Sequence, residues 1–254
     1  MKEKWRLLLT GFNTASMNMA IDNAILIAHS KGKVPPTVRF YGWKPPAVSI
    51  GYFQSLQEEV DVESCRRLGV DYVRRVTGGG AVFHDKELTY SIIISESHPM
   101  IPRSILDSYQ RICGALVRGF RYMNVEASFA PVNDIITNGK KISGNAQTRR
   151  YNTVLQHGTI LIDVDVDRMF SLLKIPGEKI KDKLINDAKQ RVTSLSDVLG
   201  RPVLFEEVAS NMKKGFEEEF NVELIKGSLT DDEINDARFF HEHYFSSDEW
   251  NNKR

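Results

Sequence analysis

The sequence predicts an α+β protein built around a mixed sheet. Strand-like runs crowd the first two-thirds of the chain, and helical periodicity dominates the last third. Strand and helix do not alternate strictly, which disfavours a doubly wound parallel sheet. Composition agrees: 41% hydrophobic and 26% charged residues over 254 positions suit an ordinary folded chain. Lys plus Arg number 34 and Asp plus Glu 33, so no global field draws the chain to nucleic acid or an anionic membrane.

Ser16 is a candidate cap for a first helix with an apolar face of Met17, Ala20, Ile21, Ala24, Ile25 and Ala28. Strands are expected around residues 38–41 and 47–52, on either side of Lys44-Pro45-Pro46. Val60-Asp61 opens a short helix that Gly69 closes. Residues 70–75 read as a strand broken by Thr77-Gly78-Gly79-Gly80, and residues 88–95 as another. From Ser104 onward, Ile105, Tyr109, Ile112, Leu116 and Phe120 recur at helical spacing. Asn138-Gly139, between Ile135-Ile136 and Lys140-Lys141-Ile142, signals a two-residue hairpin. Residues 156–163 form a further strand. Leu204, Val208, Met212 and Phe216 make an i, i+4 stripe, and Thr230-Asp231-Asp232-Glu233 has the capping-box pattern. The expected layout is one domain over residues 1–254, with a break near Ile175-Pro176-Gly177 and a helical tail from about residue 177 to 254.

No stretch approaches the roughly 20 apolar residues of a membrane helix. No signal-peptide core follows Met1-Lys2-Glu3-Lys4, and the two cysteines, Cys65 and Cys113, are too few for a disulfide framework. A reduced, cytoplasmic protein with no membrane or nucleic-acid partner is expected.

Three segments carry chemistry. In residues 74–85, three glycines expose backbone N–H groups behind two arginines, an arrangement that can lie against a phosphate or a flat ring. It is neither a P-loop nor a dinucleotide fingerprint: no Gly-Lys-Ser/Thr follows, and Phe83 stands where a third glycine would be. The second segment sets Lys141 on the predicted hairpin among small residues, where its ammonium could offset a developing oxyanion. The third is Gln156-His157-Gly158-Thr159, a His-Gly pair inside a strand. His241-Glu242-His243 is not a metal pair, because helical residues i and i+2 point roughly 200° apart.

Together these segments resemble the lipoate–protein ligase and octanoyltransferase family. Residues 74–85 match its Arg-Arg-x-Ser/Thr-Gly-Gly-Gly-Ala-Val-Phe/Tyr-His-Asp signature. Asn133-Asp134, residues 139–146 and His157-Gly158-Thr159 match later blocks in order, and the likeness runs down to Trp250-Asn251. The resemblance implies an α/β catalytic domain on mixed sheets, akin to biotin ligases, whose own Gly-Arg-Gly-Arg-x-Gly signature is missing. It also implies attachment of lipoyl or octanoyl groups to a lysine of lipoyl domains, such as 2-oxoacid dehydrogenase E2 subunits and the glycine-cleavage H protein.

Two chemistries compete within the resemblance. A ligase joins lipoate to ATP, giving lipoyl-AMP, before the acceptor lysine attacks. An octanoyltransferase takes the acyl group from a carrier-protein thioester, through a cysteine in related enzymes. Tyr41-Gly42-Trp43, Gly51-Tyr52-Phe53-Gln54 and Ala146-Gln147-Thr148-Arg149 look like the transferases. Residues 114–140, however, contain no cysteine, so the ATP-dependent ligase is expected and the acyltransferase is the alternative. By resemblance, Lys141 is catalytic. Arg75, Gly78, Gly79, Gly80, Ala81, Val82, Phe83, His84, Asn133, Asp134, Ser143, Gly144, Ala146, His157, Gly158 and Thr159 bind lipoyl-AMP, and Asp134 and Asp85 hold Mg²⁺. Because residue 254 follows soon after Trp250, a separate accessory subunit is also expected.

Overall fold

The computed structural model describes residues 2–175 and 178–253; the expected break at Pro176-Gly177 lies outside the described residues. In chain order the elements are β1 (Glu3–Asn13), α1 (Ala15–Ser30), β2 (Thr37–Trp43), β3 (Ala47–Ile50), α2 (Leu56–Glu59), α3 (Val62–Leu68), β4 (Asp71–Arg74), β5 (Val82–His84) and β6 (Glu87–Ser95). There follow α4 (Ile105–Arg121), β7 (Ser128–Ala130), β8 (Asp134–Thr137), β9 (Lys140–Arg150), β10 (Thr153–Leu161), α5 (Val166–Ser171), α6 (Glu178–Arg191) and α7 (Leu195–Leu199). The last are α8 (Phe205–Phe220), β11 (Val222–Lys226), α9 (Asp231–Phe240), a π-turn at His241–Phe245 and α10 (Asp248–Asn251).

Eight strands form one mixed sheet in the order β11-β1-β2-β6-β10-β9-β8-β7, and β4-β3-β5 form a small second sheet. β1 runs parallel to β2 and β11, whereas the ladders from β2 to β7 are antiparallel. The sheet divides side chains by alternation. Val38 and Phe40 of β2, with Leu88, Tyr90, Ile92 and Ile94 of β6, pack on one face with residues of α4 and α8. Tyr41, Trp43 and Ile93 face the other way, into a second core with α1, Ala237, Phe245 and Trp250. A third, smaller core of Val48, Ile50, Leu56, Val60 and Cys65 lies against the small sheet. Among the described residues no helix is long and apolar enough to cross a membrane.

Several local expectations hold for the reasons given. Asp61 caps α3, and Gly69 ends it at φ +63°. Ser104 caps α4, and the Thr230–Glu233 capping box opens α9. Asn138 and Gly139 both take left-handed φ, 50° and 74°, as a tight hairpin requires. Others need correction. α1 is capped by Thr14, whose hydroxyl accepts from Met17 N–H, while Ser16 Oγ bonds His241 Nδ1 at 2.9 Å. The stripe headed by Leu204 begins one residue outside its helix, where Leu204 is the exposed N-cap. The expected helical tail contains a strand, because β11 adds to the sheet beside β1.

Candidate active site

The glycine loop leaves β4 and returns along β5. Its two arginines have separate tasks. Arg74 is wholly buried and faces the end of the chain: its guanidinium donates to the carbonyls of Trp250 and Asn251, and Trp250 Nε1 donates to Arg74 O at 2.8 Å. Arg75 faces the cavity. Its Nη1 donates to Ser49 O and Oγ at 3.0 and 3.1 Å, and its Nη2 to the carbonyls of Gly78 and Gly80, each at 2.8 Å. Burial lowers its pKa to about 10, so it stays charged at neutral pH. Gly79 sits at φ +95°, and a Cβ on Gly51 would overlap its carbonyl, so both positions need glycine.

The second and third sequence segments meet because β9 and β10 form one hairpin. Its register sets His157 opposite Ala146, Gly158 opposite Asn145 and Thr159 opposite Gly144. The connecting residues Tyr151 and Asn152 both take positive φ, 53° and 55°. Lys141 Nζ pairs with Asp134 Oδ1 at 2.7 Å, both side chains being partly exposed. The lysine stem lies over Gly144, where an added Cβ would come within 2.8 Å of Lys141 Cε. Asn145 Oδ1 accepts from Tyr90 at 2.7 Å and occupies the space that Gly158 leaves free. His157 Nε2 meets Thr77 Oγ1 at 2.7 Å, with Asp22 at 3.8 Å from its Nδ1. Burial holds His157 below the usual histidine range while Asp22 pulls the other way. Asp22 itself is bound by Arg39, Tyr41 and Ser91.

These groups enclose a cavity of about 310 Å³. Of the residues expected from sequence, Arg75, Gly79, Gly80, Ala81, Val82, Phe83, His84, Asn133, Lys141, Gly144, Ala146, His157, Gly158 and Thr159 line it. Gly78, Ser143, Asp134 and Asp85 do not. Gly78 turns its carbonyl to Arg75, Ser143 is buried beside Asn145, Asp134 sits behind Lys141, and Asp85 pairs with Arg168 at 3.0 Å. Asp85 and Asp134 are thus held by two different cations. Among the described residues, no three His, Cys, Asp or Glu side chains gather as metal ligands.

The sequence reading missed Met19, Trp43, Ser49, Thr89, Asn145, Leu161, Val164, Met169 and Val192, which complete the lining. Most are ordinary residues on strands or near α5 and α6, and register rather than motif brings them in. Residues 14–217 match the family described as the lipoyl protein ligase A/B catalytic domain. The chain belongs to that family.

Among family relatives, the octanoyltransferase LipM of Geobacillus kaustophilus is 41% identical over all of this chain and 99% of its own length. The LipM octanoyltransferases of Clostridioides difficile and Bacillus subtilis are 39% and 35% identical, over 99% and 100% of this chain and 99% of their own lengths. Among solved structures, a bi-partite lipoate protein ligase from Thermoplasma acidophilum has TM-score 0.90 and 32% identity, covering 98% of this chain and 96% of that one. A lipoate-protein ligase A bound with ATP has TM-score 0.83 and 31% identity, covering 98% of each chain. The chain is therefore an enzyme of the lipoyl and octanoyl transfer family, with its α+β mixed-sheet fold.

The full-length octanoyltransferase relatives overturn the expectation of an ATP-dependent, adenylate-forming ligase, and with it the ATP and Mg²⁺ assignments. The site shows why the sequence misled. Arg75 commits its guanidinium to Ser49 and to glycine-loop carbonyls rather than holding it open for a phosphate. The two acids assigned to Mg²⁺ are already paired with Lys141 and Arg168. Lys141, which suggested ligation, suits any reaction that builds charge on an acyl carbonyl oxygen.

Proposed function

We propose that the protein is an ATP-independent acyltransferase, moving an octanoyl group from a carrier-protein thioester to the acceptor lysine of a lipoyl domain. The full-length likeness to octanoyltransferases is the observation that carries this reading. The cavity's chemistry supports it. Met19, Val82, Phe83, Leu161, Val164, Met169 and Val192 offer apolar wall to an alkyl chain, and Lys141 and Arg75 bring cations to the same cavity. Lys141 shares its ammonium with a partly exposed carboxylate, so it can turn to a developing oxyanion.

Neither cysteine lines this cavity. Burial pushes Cys65 up to about 11 and Cys113 up to about 12, so neither forms a thiolate at neutral pH. The acyl group accordingly passes in one transfer. The acceptor amine attacks the thioester carbonyl, the C–N bond forms, the C–S bond breaks, and the amine's proton leaves with the carrier thiol. A thioester is already activated, so no adenylating partner enters the scheme.

The test is the intact mass of an apo lipoyl domain after incubation with this protein. One tube holds octanoyl carrier protein without ATP; the other holds free octanoate, free lipoate, ATP and Mg²⁺. An octanoyl adduct in the first tube, unaffected by thiol alkylation, is expected. Modification confined to the second tube would overturn the proposal.

A further inference from the structure

Along the cavity wall runs a chain of buried polar groups that the transfer scheme does not use: Trp43, Ser49, His84 and Thr89 line the cavity and Glu87 lies behind them. Glu87 is almost fully buried in the sheet, and its Oε1 accepts from Trp43 Nε1 at 3.1 Å, Thr89 Oγ1 at 2.5 Å and His84 Nδ1 at 2.8 Å. The other face of the imidazole, Nε2, lies 2.7 Å from Ser49 Oγ. Ser49 Oγ in turn lies 3.1 Å from Arg75 Nη1. Trp43 stacks on His84 with ring centroids 4.0 Å apart, which fixes the ring plane.

The donors in this chain have one consistent direction. A guanidinium can only donate, so Ser49 Oγ accepts from Arg75. The serine hydrogen then goes to His84 Nε2, its other polar neighbour. That leaves the histidine hydrogen on Nδ1, pointing at Glu87. Every bond runs from the cation toward the carboxylate, so each polarises the next in a region shielded from water. Among the described residues Arg75 makes no direct ion pair; its guanidinium donates to Ser49 and to loop carbonyls. Glu87 is therefore its counter-charge through two intervening residues, Ser49 and His84.

We propose that Glu87, His84 and Ser49 are positioning residues, a relayed ion pair that sets the Arg75 guanidinium in the cavity wall. This rests on the transferase reading, in which Arg75 brings a fixed cation to the wall of the cavity that takes the acyl group. The order Ser–His–Glu also matches a nucleophile, base and acid. Ser49 is wholly buried, however, and its oxygen already accepts from Arg75, so the chain acts as a strut.

The experiment is a double-mutant cycle read by initial rates with octanoyl carrier protein and apo lipoyl domain. Ser49→Ala and Glu87→Gln each lower kcat about 10- to 100-fold, with the KM for the lipoyl domain unchanged. Ser49→Thr, which keeps the hydroxyl, recovers most of the loss. In an Arg75→Lys background, Ser49→Ala costs nothing further, which a role in folding alone would not produce. Thermal melts identify any variant that fails to fold, and Ser49→Thr then carries the comparison.

An unchanged kcat in Ser49→Ala, a cost that persists in the Arg75→Lys background, or an octanoyl ester trapped on Ser49 would each overturn the proposal. A wild-type protein inert with the thioester would instead remove the transferase reading. The relay is then read by calorimetric titration with octanoate, which Ser49→Ala weakens about tenfold in the wild-type background and leaves unchanged beside Arg75→Lys.

Discussion

At the residue scale the site depends on a few close approaches. Lys141 is a partly exposed cation paired with Asp134, and Gly144 gives its stem room. Lys141→Ala should lower kcat about 10²- to 10³-fold, the usual cost of losing a preorganised oxyanion donor. Its melting temperature should match wild type, since the side chain is partly exposed; near-normal turnover would end the assignment. Gly144→Ala should push the ammonium aside and cost activity, and it should add nothing to Lys141→Ala in a combined variant measured the same way. His157 makes a different prediction, about pH. Its folded pKa lies below its ordinary 6.5, so the unfolded chain binds the proton more readily. The histidine's contribution to stability is complete above about pH 6.5 and is lost as pH falls through the lower folded value. Melting temperature should therefore decline below pH 6.5, with a shallower decline in His157→Gln. Parallel curves for the two proteins would contradict this account.

At the element scale, the strands that read clearly were those rich in β-branched and aromatic residues. β6 announces itself through Tyr90, Ile92, Ile93 and Ile94, β10 through Thr159 and Ile160, and Asn138-Gly139 announces its turn. β1 does not, because Arg6 interrupts its apolar run and Gly11 takes positive φ near a register shift. The β9–β10 turn was illegible because Tyr151 is a rare occupant of left-handed backbone. In the site, glycines and Lys141 were visible as motifs. Ser49, Trp43, Thr89 and Glu87 were not, since strand pairing alone gives them neighbours; Ser49 sits opposite Val82 on β5, and His84 lies two residues further along. The short α10 carries its own prediction. Trp250 is buried and supports Arg74 beneath the glycine loop, so Trp250→Ala should cost about 3–5 kcal/mol, read as a lower urea midpoint. A midpoint within error of wild type would show that the clamp is dispensable.

At the scale of the whole molecule, one large sheet carries β9 and β10, one small sheet carries β3 and β5, and the cavity takes walls from both. The donor's alkyl chain is the group that should sense that enclosure. Each methylene withdrawn from the octanoyl chain forfeits about 0.8 kcal/mol of burial, or roughly a fourfold fall in kcat/KM. Competition assays with hexanoyl and octanoyl carrier proteins measure the slope, and a flat profile would place the chain outside the cavity. The Arg74 clamp reaches across the sequence in a way that bears on synthesis. Arg74 and the Trp250 carbonyl that receives its guanidinium are 176 residues apart. On the ribosome, the glycine loop emerges long before its support does. Until α10 is released, Arg74 can meet the nearby carbonyls of Gly51, Tyr52 and Gln54 but not those of Trp250 and Asn251. That half of the clamp therefore closes late in synthesis, after the rest of the glycine-loop contacts have been made.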